Sequence, residues 1–238
     1  MSSQKTLVCF GDSLTEGAIG ASYVDILRAR LPAAVRVINA GINGDTTINL
    51  LRRLARDVVP YHPSLVVILV GLNDLTTAYG WRSNRAYYRF IKHVPVALTP
   101  RLFARAYQRL IADLRRHTQA QLALCTLTTV GEHLDDPFQV YIDAYSTIIR
   151  ALAERERLPL IDLRRAFRAA LREDPRNGPP YYIWTPVLDA AAIGLRGRTY
   201  AELGARRGYR LLCDGAHLAE AGATLVAETM LPFVRDLL

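Results

Sequence analysis

Thr6-Leu7-Val8-Cys9-Phe10-Gly11-Asp12-Ser13-Leu14 is the stretch on which the reading of this chain turns. A β-forming, apolar run meets a glycine, and an Asp or Ser then stands where a helix would be capped. A run without polar alternation marks a strand buried on both faces, as in a parallel sheet. Runs of the same kind recur at 35–39, 65–70, 122–127 and 159–161. Segments with helical spacing lie between them, at 22–31, 47–58, 102–117 and 140–155. A last helix is expected from about Leu218 toward Met230, with Pro232 breaking or restarting it. This alternation predicts an α/β sandwich around a mostly parallel sheet of about five strands.

The chain has 238 residues, half of them hydrophobic, enough for one sizeable core and short for two. A single domain over residues 1–238 is therefore expected. Cys9, Cys125 and Cys213 are odd in number and form neither a C-x-x-C pair nor a zinc-like cluster, so reduced structural thiols are expected. Residues 1–6 are polar, and the apolar run that follows stops at Gly11, unlike a signal peptide. No apolar run approaches the roughly eighteen residues of a membrane span. The expectation is a cytoplasmic protein without an integral membrane segment. A net charge of +8 comes mostly from arginines spread along helical segments, which reads as a solvated surface rather than a nucleic-acid footprint.

Two segments interrupt the alternation. Residues 79–100 carry Trp81, Tyr87, Tyr88 and Phe90, and residues 175–210 carry Tyr181, Tyr182 and Trp184. Both exceed ordinary connections in a compact domain and are candidates for a lid or a substrate-site wall, with Trp81, Tyr88 and Trp184 as possible substrate contacts. Packing on the sheet edge, or a dimer contact, is the plainer alternative.

Ligands of open parallel sheets bind beyond the carboxyl ends of the strands. Ser13 follows the first expected strand, Gly44 the second and Asn73 the third, each within a few residues of the strand end. Each has a commoner structural explanation: a cap for Ser13, a flexible turn for Gly44, a tight loop for Asn73. Together they supply a hydroxyl nucleophile, a backbone N–H that a substrate can approach closely, and a neutral side-chain donor for an oxyanion. Asp12 and Asp74 are expected to brace their loops rather than react. Among five histidines, His217 stands out because Asp214 precedes it by three residues, so a turn through Gly215 can bring the carboxylate to Nδ1. His133 shares a polar loop with Glu132, Asp135 and Asp136, a faint metal signal better read as solvation.

With these motifs assembled, the chain resembles the SGNH subgroup of the GDSL hydrolases. The four name-giving residues correspond to Ser13, Gly44, Asn73 and His217, with Asp214 completing a triad. The motifs cover only about twenty residues, but their order and strand context span almost the whole chain. The resemblance implies a three-layer α/β/α, flavodoxin-like fold and hydrolysis of esters or thioesters with no metal or other cofactor. It also implies oxyanion donors from the backbone N–H of Ser13 and Gly44 and the side-chain amide of Asn73. The expected partner is a small-molecule ester or lipid-like substrate. Alternatives on the same site are a carbohydrate deacetylase, a thioesterase or an acyltransferase, and, from another class, a noncatalytic binding domain.

Overall fold

The computed structural model describes residues 4–80, 82–173, 178 and 199–238. Five parallel strands form its sheet: β1 (Lys5–Gly11), β2 (Val35–Gly41), β3 (Leu65–Leu69), β4 (Gln121–Cys125) and β5 (Leu160–Ile161). Their spatial order is β2-β1-β3-β4-β5. Helices cover both faces, so the expected three-layer flavodoxin-like architecture is the observed one. On one face α3 (Thr47–Asp57), α6 (Pro100–His117) and α7 (Phe138–Glu156) pack in sequence; on the other, α10 (Glu220–Leu237) packs against both α2 (Tyr23–Arg30) and α8 (Leu163–Glu173). The short helices α1 (Ser13–Glu16), α4 (Leu72–Tyr79), α5 (Arg82–Phe90) and α9 (Tyr200–Arg206) decorate the loops.

Two-sided cover explains the strand sequences. All five residues of β3 are buried, as are Leu7 to Phe10 of β1, because each strand face meets a helix layer. Helix α6 shows the complementary pattern: Phe103, Tyr107, Leu110, Ile111 and Leu114 repeat at helical spacing and are all buried. Removing a side chain of this size from water contributes about 1.5 to 3 kcal/mol.

Pro232 does not break the last helix. It lies inside α10, which continues to Leu237. Pro232 and Glu228, four residues earlier, are both exposed, so the carbonyl that loses its N–H partner can turn to water.

The order of strands reverses between β1 and β3, which opens a crevice above their carboxyl ends. Gly11 ends β1 in register with Gly41 of β2 on one side and Leu69 of β3 on the other. Helix α1 sits directly on this junction. A Cβ at Gly41 would stand 2.1 Å from Glu16 N and 2.6 Å from Thr15 C, so only glycine lets α1 approach β2 this closely. Gly41→Ala is therefore expected to lower stability by about 1 to 3 kcal/mol through overpacking against backbone. Thermal melting checks this, and an unchanged transition would contradict the packing described.

Candidate active site

Ser13 is the first residue of α1, immediately beyond β1. Asp12 caps that helix: its Oδ1 accepts the Leu14 N–H at 3.1 Å. The Asp12 carbonyl takes the N–H groups of Thr15 at 3.1 Å and Glu16 at 2.9 Å, so of this turn the Ser13 N–H is the one with no acceptor among the described residues. Ser13 is 8 % exposed, and its hydroxyl makes no hydrogen bond among the described residues.

Gly44 lies between β2 and α3 with φ of 74°, a left-handed conformation that glycine adopts without strain. Its N–H has no hydrogen-bond acceptor among the described residues. Asp45, next in the chain, is 3 % exposed and held by two cations: Arg53 Nε reaches Oδ2 at 2.7 Å and Lys92 Nζ reaches Oδ1 at 2.6 Å. Arg53 also donates to the carbonyls of Gly11 at 2.8 Å and Ala40 at 3.0 Å, tying the ends of β1 and β2 to α3.

Asn73 stands in the first turn of α4, not in a loop. Its Nδ2 donates to the Asp45 carbonyl at 2.9 Å and lies 3.3 Å from Asp12 Oδ2, while Oδ1 accepts from the Tyr88 hydroxyl at 2.6 Å. One amide proton is thus firmly placed, and the other makes only a long contact that a better acceptor can replace. Asp74 is fully buried and takes the Thr47 N–H on both oxygens at 3.1 Å, joining α4 to the start of α3. Burial pushes both carboxyls, Asp12 and Asp74, up to about 7.

Asp214 and His217 form a buried pair. Oδ2 meets Nδ1 at 2.7 Å, while Oδ1 accepts the N–H groups of His217 at 2.7 Å and Ala216 at 2.9 Å. Burial acts to raise the Asp214 carboxyl, but the imidazole and these two amides outweigh it and hold the group below the usual carboxylate range. With Nδ1 engaged, Nε2 is the nitrogen left to exchange a proton.

The turn carrying this pair is anchored by Glu132. That side chain is fully buried and collects the backbone N–H groups of Arg210 at 3.0 Å, Leu211 at 2.6 Å and Leu212 at 2.8 Å. Of the loop expected to be solvated, Asp135 is exposed, but Glu132 is an internal anchor. Gly131 N–H adds a bond to the Gly215 carbonyl at 2.7 Å, and Ala21 N–H reaches the Leu218 carbonyl at 2.8 Å, stitching the turn to the segment after α1. Nothing in the sequence distinguishes Glu132, since an acidic residue in a polar loop looks the same whether solvated or capturing amides.

Tyr88, expected on a substrate wall, is only 6 % exposed and spends its hydroxyl on Asn73, so it offers no open ring face. The neighbouring Tyr87 is 40 % exposed and stands over Gly44, its hydroxyl 2.6 Å from where a Cβ would be. Trp81 and Trp184 lie outside the described residues, as does most of 175–210. A cavity of about 670 Å³ lined by Ala201, Tyr209, Leu211, Ala221, Leu225 and others touches none of Ser13, Gly44, Asn73 or His217.

A family model described as GDSL-like Lipase/Acylhydrolase matches residues 9–225. The acetylxylan esterase of Geobacillus stearothermophilus is 27 % identical over 190 residues, covering 71 % of this chain and 81 % of that protein. Among solved structures, the acetyl xylan esterase AlAXEase is 25 % identical with a TM-score of 0.67, over 96 % of this chain and 99 % of that one. The lipase/acylhydrolase from Enterococcus faecalis, 22 % identical, shares the fold with a TM-score of 0.65 over 98 % and 96 % of the two chains.

The carboxyls give a signed pH prediction. Burial pushes Asp74 up to about 7 in the folded chain, from 3.8 for a free aspartate, so the folded state retains a proton that the unfolded chain has released in that interval. Its contribution to stability is present in acid and is lost as pH rises through about 7. Asp214, shifted down, acts oppositely and loses its contribution only as pH falls through its folded value. The stability of Asp74→Asn relative to the unaltered protein is expected to rise between about pH 5 and 7.5. Denaturant unfolding across that range measures it, and a difference independent of pH would contradict the assignment.

Proposed function

We propose, from the premise that this chain belongs to the GDSL-like lipase/acylhydrolase family, that Ser13, His217 and Asp214 are its catalytic triad and that Ser13, Gly44 and Asn73 form its oxyanion hole. The chain is a carboxylic ester hydrolase. The observation that supports the residue assignment is the buried Asp214–His217 pair, with Oδ2 and Nδ1 at 2.7 Å, whose imidazole is near enough to act on the carboxyl of Asp12, the residue before Ser13 and 3.3 Å from Asn73 Nδ2.

In this reading His217 Nε2 takes the Ser13 proton as Oγ attacks the ester carbonyl. Asp214 holds the imidazole by Nδ1 and stabilises the cation that forms. The oxyanion is received by the N–H groups of Ser13 and Gly44 and by Nδ2 of Asn73. The tetrahedral adduct collapses, His217 protonates the departing alcohol, and an acyl ester remains on Ser13. Water, activated by the same imidazole, attacks that ester and releases the carboxylic acid. General acid–base catalysis of this kind contributes about 10²- to 10⁴-fold. Asp12 and Asp74 support the loops and do not exchange the reacting proton.

For substrate we propose short acyl groups, acetyl esters of carbohydrates foremost. The relative named an acetylxylan esterase supports this, as does the Tyr87 hydroxyl crowding Gly44, which leaves little room for a long acyl chain beside the oxyanion position. No helix among the described residues is long and apolar enough to cross a membrane. A cytoplasmic location belongs to the same proposal and is supported by three buried cysteines outside any disulfide. We also propose that residues 1–238 form one domain, with the segment 79–100 bordering the site.

The test is a panel of acetylated xylooligosaccharides, short- and long-chain 4-nitrophenyl esters and acyl thioesters. Short acetyl esters should be preferred, and Ser13→Ala should reduce kcat by about 10⁴-fold or more. Asn73→Ala should lower kcat by roughly 10²- to 10³-fold with little change in KM. Undiminished turnover in Ser13→Ala would refute the nucleophile, and preference for long acyl chains would refute the substrate class.

A further inference from the structure

We infer that Tyr88 is a positioning residue for the oxyanion hole and that α5, with the turn after it, is the frame that holds both of the hole's non-nucleophile donors. This rests on the reading of Asn73 as an oxyanion donor. A primary amide can work as a donor only if its Nδ2 end faces the substrate. Rotated by half a turn about its last torsion, it would present the acceptor Oδ1 and repel the charge it is meant to stabilise.

The Asp45 contact forbids that rotation, and the Tyr88 contact satisfies the oxygen in the orientation it sets. The Asp45 carbonyl accepts only, so it requires Nδ2 at its 2.9 Å contact. Oδ1 likewise accepts only, so at 2.6 Å the Tyr88 hydroxyl must be donating. Without Tyr88, Oδ1 would lose its protein donor. The bond also draws electron density toward Oδ1, leaving the Nδ2 protons more positive.

Tyr88 can serve this way because its own position is fixed. Its ring belongs to a small apolar cluster with Val94 and Leu98, packed against Ile48 and Leu102. Tyr87 meets it edge-on with centroids 5.2 Å apart, and the Tyr88 carbonyl accepts the Val94 N–H at 2.8 Å. Four residues after Tyr88, Lys92 bridges the Asn43 carbonyl at 2.8 Å and Asp45 Oδ1 at 2.6 Å, so the same segment brackets Gly44 from both neighbours. Asn49 Nδ2 donates to the Lys92 carbonyl at 2.8 Å and fastens the turn to α3. One inserted helix thereby sets the orientation of Asn73 and the backbone around Gly44.

The experiment compares Tyr88→Phe, Asn73→Ala and the double variant by steady-state kinetics on an acetyl ester, with thermal melting of each. Tyr88→Phe keeps the ring and deletes the hydroxyl. It is expected to lower kcat roughly 5- to 30-fold, leave KM within about twofold, and shift melting by no more than about 4 °C. In the Asn73→Ala background the same change should cost nothing further, because Tyr88 acts only through the amide. In ¹⁵N spectra, the Asn73 side-chain amide pair, assigned by its loss in Asn73→Ala, should move and exchange faster with water in Tyr88→Phe. That readout remains even where kcat reflects a slower step. A slow Asn73→Ala beside a Tyr88→Phe with wild-type kcat and an unmoved amide pair would overturn this inference alone, as would an equal loss in both backgrounds. A fully active Asn73→Ala would overturn the oxyanion reading and this inference with it.

Discussion

The doubly held carboxylate of Asp45 is the constraint on which the crevice depends. Arg53, itself 7 % exposed, reaches it from α3 and stacks over the Phe10 ring at 4.7 Å, while Lys92 reaches it from the turn after α5. A buried carboxylate with one partner removed is strongly destabilising, on the order of 3 to 5 kcal/mol, so the network behaves as a unit. Through it the end of β1, the end of β2, the start of α3 and the segment after α5 keep one arrangement. The Asp45 carbonyl then hands that arrangement to Asn73. A left-handed glycine turn between a strand and a helix is thereby made rigid.

Carboxyls in this crevice fall into two kinds according to what surrounds them. Asp214 is surrounded by donors, one imidazole nitrogen and two backbone amides, and remains ionised although buried. Asp12 and Asp74 have fewer donors for the same burial and are pushed up to about 7. An ionised group belongs where a cation must be supported, as it would be on His217. A carboxyl that keeps its proton more readily suits the position beside Asn73 Nδ2, where a full negative charge would compete with an oxyanion.

Much of this was legible in the sequence because burial on two faces leaves an unmistakable composition. The runs behind β1 to β5 all became strands, with ends shifted by a residue or two, and order along the chain placed Ser13, Gly44 and Asn73 on one rim. Short helices were harder to see. Helix α1 is a single turn on an Asp12 cap, which the sequence reading anticipated, but α4 begins at Leu72, so Asn73 reads as a turn residue until tertiary packing is known. Long-range polar contacts left no trace at all: Glu132 meets amides 78 to 80 residues away, Lys92 meets Asn43 across 49 residues, and Tyr88 meets Asn73 from the next helix. An aromatic residue in an inserted segment looks the same whether it lines a pocket or supports one from beneath.

The proposed activity depends on Ser13 being a nucleophile activated by the His217–Asp214 pair. Reaction of the folded protein with a fluorophosphonate, followed by intact and peptide mass spectrometry, tests that most directly. One phosphonate per chain, located on the Ser13 side chain and absent after His217→Ala, is the predicted result. A folded protein that takes up no phosphonate, or that carries it on another residue, would contradict the account.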